Sequence, residues 1–217
     1  MTISMDDLLK SILDSFSRME HIKSEDIPNI DLYMDQVTTF MEKRLKNTTR
    51  NPEEDKILTK TMINNYAKNN LLPSPEKKKY TKEHILVLLF IYYFKGVLSI
   101  GDIQVLLNPI TEQFFKKEDG FKLEDVYEEV FSLEDLEIAN LKADVEKKFK
   151  DSQKLFEDAP EESQEFLKQF AFICMLSYDV YVKKLLIEKM IDEMCKGTEG
   201  KNASKKESKK EAKKETK

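Results

Sequence analysis

The sequence predicts an all-α protein, and three observations predict it. Gly and Pro number only 5 and 6 in 217 residues, too few turn formers for a chain of strands and hairpins. Lys, Glu, Leu and Ile dominate, and these are mostly good helix formers. Apolar residues recur at helical spacing in segment after segment. A chain of this length accommodates one or two modest domains with a core of their own.

The elements follow in order. Met5, Leu8, Leu9, Ile12, Phe16 and Met19 predict an N-terminal amphipathic helix within residues 1–26, broken by Ser24 to Asn29 with Pro28. A second helix is expected from about Leu32 to Lys46, with Tyr33, Val37, Phe40, Met41 and Leu45 as its apolar stripe. Asn47 to Lys56, polar and containing Asn51-Pro52, predicts a loop. Thr59 is a suitable N-cap for a third helix ending near Asn70. Met62, Ile63 and Tyr66 then face inward, and Lys60, Thr61, Asn64, Asn65 and Lys68 face outward. Leu71-Leu72-Pro73-Ser74-Pro75 stops that helix. Thr81 caps a fourth helix containing the apolar run Ile85 to Phe94, and Gly96 ends it. Ser99 and Asp102 form a capping box for a short fifth helix, Ile100 to Leu107, which Asn108-Pro109 terminates. Further helices are expected around Leu123 to Val130, from Ser132–Asp135 through Phe149, and from Glu161 to Cys195. The last is apolar over most of its circumference between Phe170 and Ile187, so cover is expected on several sides. Residues 197–217, mostly Lys, Glu, Ser and Ala, predict a disordered tail.

Charge is unevenly distributed. The chain carries −5 in total, yet Lys43 to Lys82 holds eleven basic and four acidic residues, a local +7. A basic segment inside an acidic protein is the pattern of a polyanion site. Asn side chains read adenine edges bidentately in the major groove, and lysines pair with phosphates as point charges. Lys60, Thr61, Asn64, Asn65 and Lys68 on one helix face, with Lys77, Lys78 and Lys79 in the next connector, supply both kinds of group. These eight are the candidate DNA-binding residues.

The stretch TKTMINNYAKNNLLPSPEKKKYTKEHILVLLFIYYFKGVLSIGDIQVLL, residues 59–107, resembles the DNA-binding domain of MerR-type transcription regulators. The matching pieces are Ile63 and Tyr66, the Leu71-Leu72-Pro73 step, Lys79-Tyr80-Thr81, the apolar helix through Ile91, and Leu98-Ser99-Ile100-Gly101-Asp102-Ile103. Residues 27–110 resemble more closely a bacterial domain family of unknown function, found mainly in Gram-positive bacteria and itself MerR-like. The resemblance implies a winged helix-turn-helix domain over 27–110, followed by a helical C-terminal bundle or dimerisation region over 111–196. It implies a transcription regulator reading double-stranded DNA with the helix 59–70 and the basic connector 76–80, as a homodimer through its C-terminal helices. The sequence departs from the MerR pattern at Asn64, where an Arg is usual, in the extended 47–56 loop, and in a short wing with Lys for Arg.

Catalytic chemistry is missing. His21 and His84 are isolated in sequence, each expected at the surface or in a cap, and no Cys–His set has metal-ligand spacing. No Gly-rich loop is placed to cradle a phosphate. The sequence therefore predicts a non-enzymatic protein with no cofactor and no metal. Cys174 and Cys195, about 30 Å apart on one helix, are expected as reduced thiols in a cytoplasmic protein. The N-terminus lacks the basic start and apolar stretch of a signal peptide. Ile85 to Phe94 has about half the length needed to cross a bilayer, so no membrane role is expected. Two other readings compete. One is a protein-interaction or assembly module whose helix-turn-helix does not bind DNA. The other is a C-terminal bundle holding an apolar small-molecule effector among Phe170, Phe172, Met175, Tyr178 and Tyr181.

Overall fold

Residues 84–91 are buried without exception. A helix that is apolar on every face has to be surrounded, and the remaining elements of the domain do this. The computed structural model describes the backbone of residues 5–16 and 21–212, and side chains over 5–15 and 21–196. In chain order the elements are α1 (Met5–Phe16), β1 (Leu32–Tyr33), α2 (Met34–Leu45), α3 (Lys60–Lys68), β2 (Lys79–Tyr80), α4 (Lys82–Phe94), α5 (Ile100–Phe114), α6 (Leu123–Phe131), α7 (Glu134–Ser152) and α8 (Glu161–Ala212). Among the described residues the protein is all-α apart from one two-stranded antiparallel ribbon, in which Leu32 pairs with Tyr80 and Tyr33 with Lys79. Among the described residues no helix is long and apolar enough to cross a membrane.

The main core gathers around α4. Val37, Met41 and Leu45 of α2, Ile63 and Tyr66 of α3, Tyr80 of β2, and Ile103 and Leu107 of α5 are all buried in it. Truncating a Leu in such a core costs about 2–5 kcal/mol. The core extends past the expected 27–110 span on both sides. Ile22 enters it before the first strand, and Leu123 and Tyr127 of α6 enter it from behind. The Tyr127 hydroxyl donates to the Ile22 carbonyl at 2.7 Å, and its ring meets Phe90 edge-on at 5.4 Å. A second, smaller core joins Leu13 of α1 to Val145 and Phe149 of α7 and Phe172 of α8.

Three caps form as expected. The Met62 amide donates to Thr59 Oγ1 at 3.1 Å. Ser99 and Asp102 bond reciprocally, Ser99 N–H to Asp102 Oδ2 at 3.1 Å and Asp102 N–H to Ser99 Oγ at 3.2 Å. At α4 the Thr81 amide donates to His84 Nδ1 at 3.0 Å, so His84 takes the place that Glu or Gln holds in the usual capping box. His84 is a cap residue but not a surface one. It is wholly buried between Tyr80 and Phe115, with ring centroids 5.5 and 4.8 Å away.

Several expectations require correction. The helix expected from Leu32 to Lys46 starts at Met34, because Leu32 and Tyr33 are drawn into the ribbon. The third helix is two residues shorter at its end, stopping at Lys68, and Met62 is exposed. Asn70 takes a positive φ of 56° there, and the Leu71 and Leu72 amides fold back onto the Tyr66 carbonyl at 2.9 and 3.1 Å. α5 does not stop at Leu107 but runs through Pro109 to Phe114. Ile110, Phe114 and Phe115 pack onto the core, and that burial offsets the roughly 3 kcal/mol an internal proline costs. In α1 the inward face is Met5, Leu9 and Leu13, with Leu8 and Ile12 exposed; Met19 lies outside the described residues. α8 continues beyond Cys195 to Ala212, consistent with the high helix propensity of Lys, Glu and Ala; 213–217 lie outside the described residues. His21, expected at the surface or in a cap, is half-buried. It stacks on Phe131 at 4.8 Å, and its amide and Nδ1 both meet the Glu134 carboxylate.

The connector before β2 is a tight turn. The Lys79 amide donates to the Glu76 carbonyl at 2.8 Å, and Lys77 and Lys78 both have positive φ, 49° and 63°. Two positive central angles are the sign pattern of a type I′ turn, which favours Asn-Gly. Lysines in that region carry steric strain. Replacing the pair by Lys77→Asn with Lys78→Gly is expected to raise the free energy of unfolding by about 1 kcal/mol, measured by urea denaturation.

His84 yields a second expectation. Burial is the main cause that lowers its pKa from 6.5 to about 4, with Lys116 adding in the same direction and the Ser74 backbone, Glu83 and Asp31 opposing. The fold therefore retains a neutral ring. The stability this contributes is fully present above pH 6.5 and is lost as pH falls from there through 4. Between pH 7 and 4 the wild-type protein should lose roughly 3 kcal/mol more than His84→Gln, with urea midpoints at several pH values as the measurement.

Candidate nucleic-acid interface

The candidate residues divide between α3 and the lysine turn. On α3, Ile63 and Tyr66 are buried while Lys60, Thr61, Asn64, Asn65 and Lys68 are exposed. Lys60, Asn64 and Lys68 form one row at four-residue spacing, and Thr61 and Asn65 form the row beside it. The side-chain amides of Asn64 and Asn65 have no partner among the described residues, so both donors and acceptors are open to solvent. Nine residues make α3 about 13 Å long, a fair match to a major groove about 12 Å wide.

The head of α2 bridges the two groups. Lys60 is ion-paired with Asp35 in the first turn of α2. One residue before α2, the Tyr33 ring is 55% exposed and the Lys79 ammonium lies 5.9 Å from its centroid. Tyr33 is fixed from below, since its amide donates to Gln36 Oε1 at 2.8 Å and its backbone pairs with Lys79. Lys60 and Lys79, nineteen residues apart in sequence, thus meet neighbouring residues, Asp35 and Tyr33, at the head of α2. Lys77 and Lys78 are exposed at the turn beyond.

α3 is held at both ends. At its C-terminus the Gln104 side chain of α5 bonds to the Asn69 carbonyl. Ahead of its N-terminus, Ile57 and Leu58 are buried, and the Lys95 ammonium donates to the Ile57 carbonyl at 2.6 Å. The long 47–56 loop therefore ends on a firm anchor, with Lys46 and Glu53 paired across it at 2.9 Å.

Sequence reasoning missed other polar groups here. Tyr33 and Asp35 belong to the surface, and so does Lys116, which pairs with Glu76 of the turn. That hydrogen bond, together with the Lys116 charge, holds the Glu76 carboxyl below its ordinary range. Lys43 and Lys56 line a shallow groove of about 430 Å³ with Thr38, Thr39, Glu42 and Thr59, beside the start of α3. Lys43 and Lys56 were legible as part of the +7 segment. The contacts of Tyr33 and Lys116 join distant stretches of sequence, and no local pattern announces them.

Among the proposed cavity-lining residues of α8, Phe172 is buried against Phe149 with centroids 5.2 Å apart. Phe170, Tyr178 and Tyr181 stand in solvent. The five do not enclose a common cavity.

No curated protein and no solved structure matches the chain. One family model does, over residues 22–130, half of the chain. Its limits take in the part of the main core that runs from Ile22 to Tyr127 of α6, to which Ile191 of α8 adds from outside the match. The chain belongs to that family, DUF1836, a domain of unknown function.

Proposed function

We propose that the 22–130 domain binds double-stranded DNA and that the protein is a non-enzymatic transcription regulator of MerR-like type, acting in the cytoplasm. The observation carrying this reading is the exposed face of α3, where two unpartnered Asn amides lie between Lys60 and Lys68, joined through Tyr33 and Asp35 to the lysine turn. In this reading α3 enters the major groove. Asn64 and Asn65 contact base edges, and Thr61 sits beside them. Lys60, Lys68, Lys77, Lys78 and Lys79 neutralise phosphates on either side. The strained turn supports it as well, since it presents two lysines at positions where Asn-Gly fits more easily.

A second reading is favoured by one observation, the broad apolar surface left exposed on α8. It makes the chain a protein-interaction module whose helix-turn-helix does not touch DNA.

Charge reversal separates the two. Lys77→Glu, Lys78→Glu and Lys79→Glu together should abolish duplex binding in a gel shift while the circular dichroism spectrum is kept. Replacing the same lysines with Gln should lower the slope of log K against log salt by up to about 2.7, roughly 0.9 for each phosphate that then goes unneutralised. Asn64→Ala should leave that slope unchanged and reduce discrimination at one base pair by about 1–3 kcal/mol. Failure of the wild-type chain to bind any duplex at low salt overturns the regulator.

A further inference from the structure

The extended 47–56 loop and the end of α4 close around a cavity of about 510 Å³. Small-molecule sites span roughly 300–1,000 Å³. One wall is aromatic. The Tyr92 and Tyr93 rings have centroids 5.7 Å apart and planes at 71°, so they form a corner. Tyr93 is backed by Phe131 at 5.4 Å. Thr48 pins the loop to this wall. Its hydroxyl donates to the Leu45 carbonyl at 2.7 Å, so at 2.5 Å it accepts from the Tyr92 hydroxyl. A contact spanning 44 residues therefore builds the cavity.

The facing wall is cationic. Arg50, Lys56 and Lys95 line it, and Asp55 is the carboxylate beside them. Asp55 is engaged within its own loop, where it accepts from the Asn51 amide at 2.9 Å. Among the described residues none of the three cations is ion-paired. Arg50 and Lys56 are exposed, whereas Lys95 is half-buried. The Lys95 ammonium donates to the Ile57 carbonyl at 2.6 Å and lies 4.8 Å from the Tyr92 centroid. That carbonyl uses one of its three donors. Burial holds the ammonium below its ordinary range, and an arriving anion relieves that cost.

Charge and shape together say what fits. Three cations against one carboxylate leave a surplus that a phosphomonoester matches, at about −1.5 to −2 at neutral pH. Arg supplies a fork suited to phosphate oxygens. Inorganic phosphate alone leaves both rings unused, and an aromatic corner suits a flat base.

We infer that this cavity binds a free nucleoside monophosphate, its phosphate among Arg50, Lys56 and Lys95 and its base against the Tyr92–Tyr93 corner. The site does not depend on α3 reading DNA. Lys56 also lines the groove beside the start of α3, so a duplex phosphate is the competing occupant.

Calorimetric titration of the full chain with AMP, GMP, CMP and UMP tests the inference, with inorganic phosphate and the four nucleosides as controls. At least one nucleotide should bind, at least about tenfold more tightly than phosphate or its own nucleoside. Arg50→Gln with Lys56→Gln should weaken that nucleotide at least about tenfold while circular dichroism is retained. Tyr92→Leu should weaken the nucleotide and leave inorganic phosphate unchanged. Binding of none of the four overturns the inference, and so does binding that the Arg50 and Lys56 substitutions leave unchanged. Duplex affinity that falls with those substitutions, while no nucleotide binds, overturns it in favour of a DNA phosphate at the same cations.

Discussion

Everything in the domain follows from the need to cover α4 on all sides. An amphipathic helix demands one neighbour, but a helix with eight consecutive buried residues demands a ring of them. α2, α5 and α6 supply most of that ring, and the two-residue ribbon closes a gap that no helix fills. Leu32 and Tyr80 are buried where the ribbon crosses, so Tyr33 and Lys79, next in register, face outward. The surface proposed to meet DNA is in this sense the outer side of the core. Moving α4 would move α3, the head of α2 and the lysine turn together.

Much of this was legible in the sequence because local chemistry declares helix ends. Thr59, Thr81 and Ser99 announce their caps, and Leu71 to Pro75 announces a stop. What escaped was decided by tertiary packing. Pro109 looked like a terminator, yet Ile110 and Phe114 gain more by burial than the helix loses at the proline. Strands of two residues are too short to show a period. Lys77 and Lys78 carry no turn signal, and their left-handed geometry belongs to the tight turn closed between Glu76 and Lys79, just ahead of the ribbon. The outward face of α3 was readable from periodicity alone, apart from Met62. Its links to Tyr33 and Asp35 were not, because they depend on how two helices approach. The apolar circumference of α8 was visible too, but hydropathy cannot say whether the chain itself or another molecule covers it.

The ion pairs of the basic surface are of the exchangeable kind. Lys60 with Asp35 and Lys116 with Glu76 lie in solvent, where screening keeps such pairs weak. They orient lysines without committing them. A phosphate arriving near Lys60 competes with one exposed carboxylate and not with a buried one. The interior groups behave differently. His84 and Tyr127 are removed from water; the Tyr127 bond to Ile22 joins the two ends of the domain, and the Thr81 bond to His84 fastens the first turn of α4.

Among the described residues, α8 contributes to both cores. Phe172 sits in one and Ile191 in the other, about 28 Å apart along a helix with no Gly or Pro between them. A rod of that kind has no joint at which motion can dissipate. Tilting it at Phe172 displaces Ile191, and Ile191 is packed in the same core as α3. The domain and the C-terminal helices are therefore mechanically a beam and its support, and a load applied to one is felt by the other.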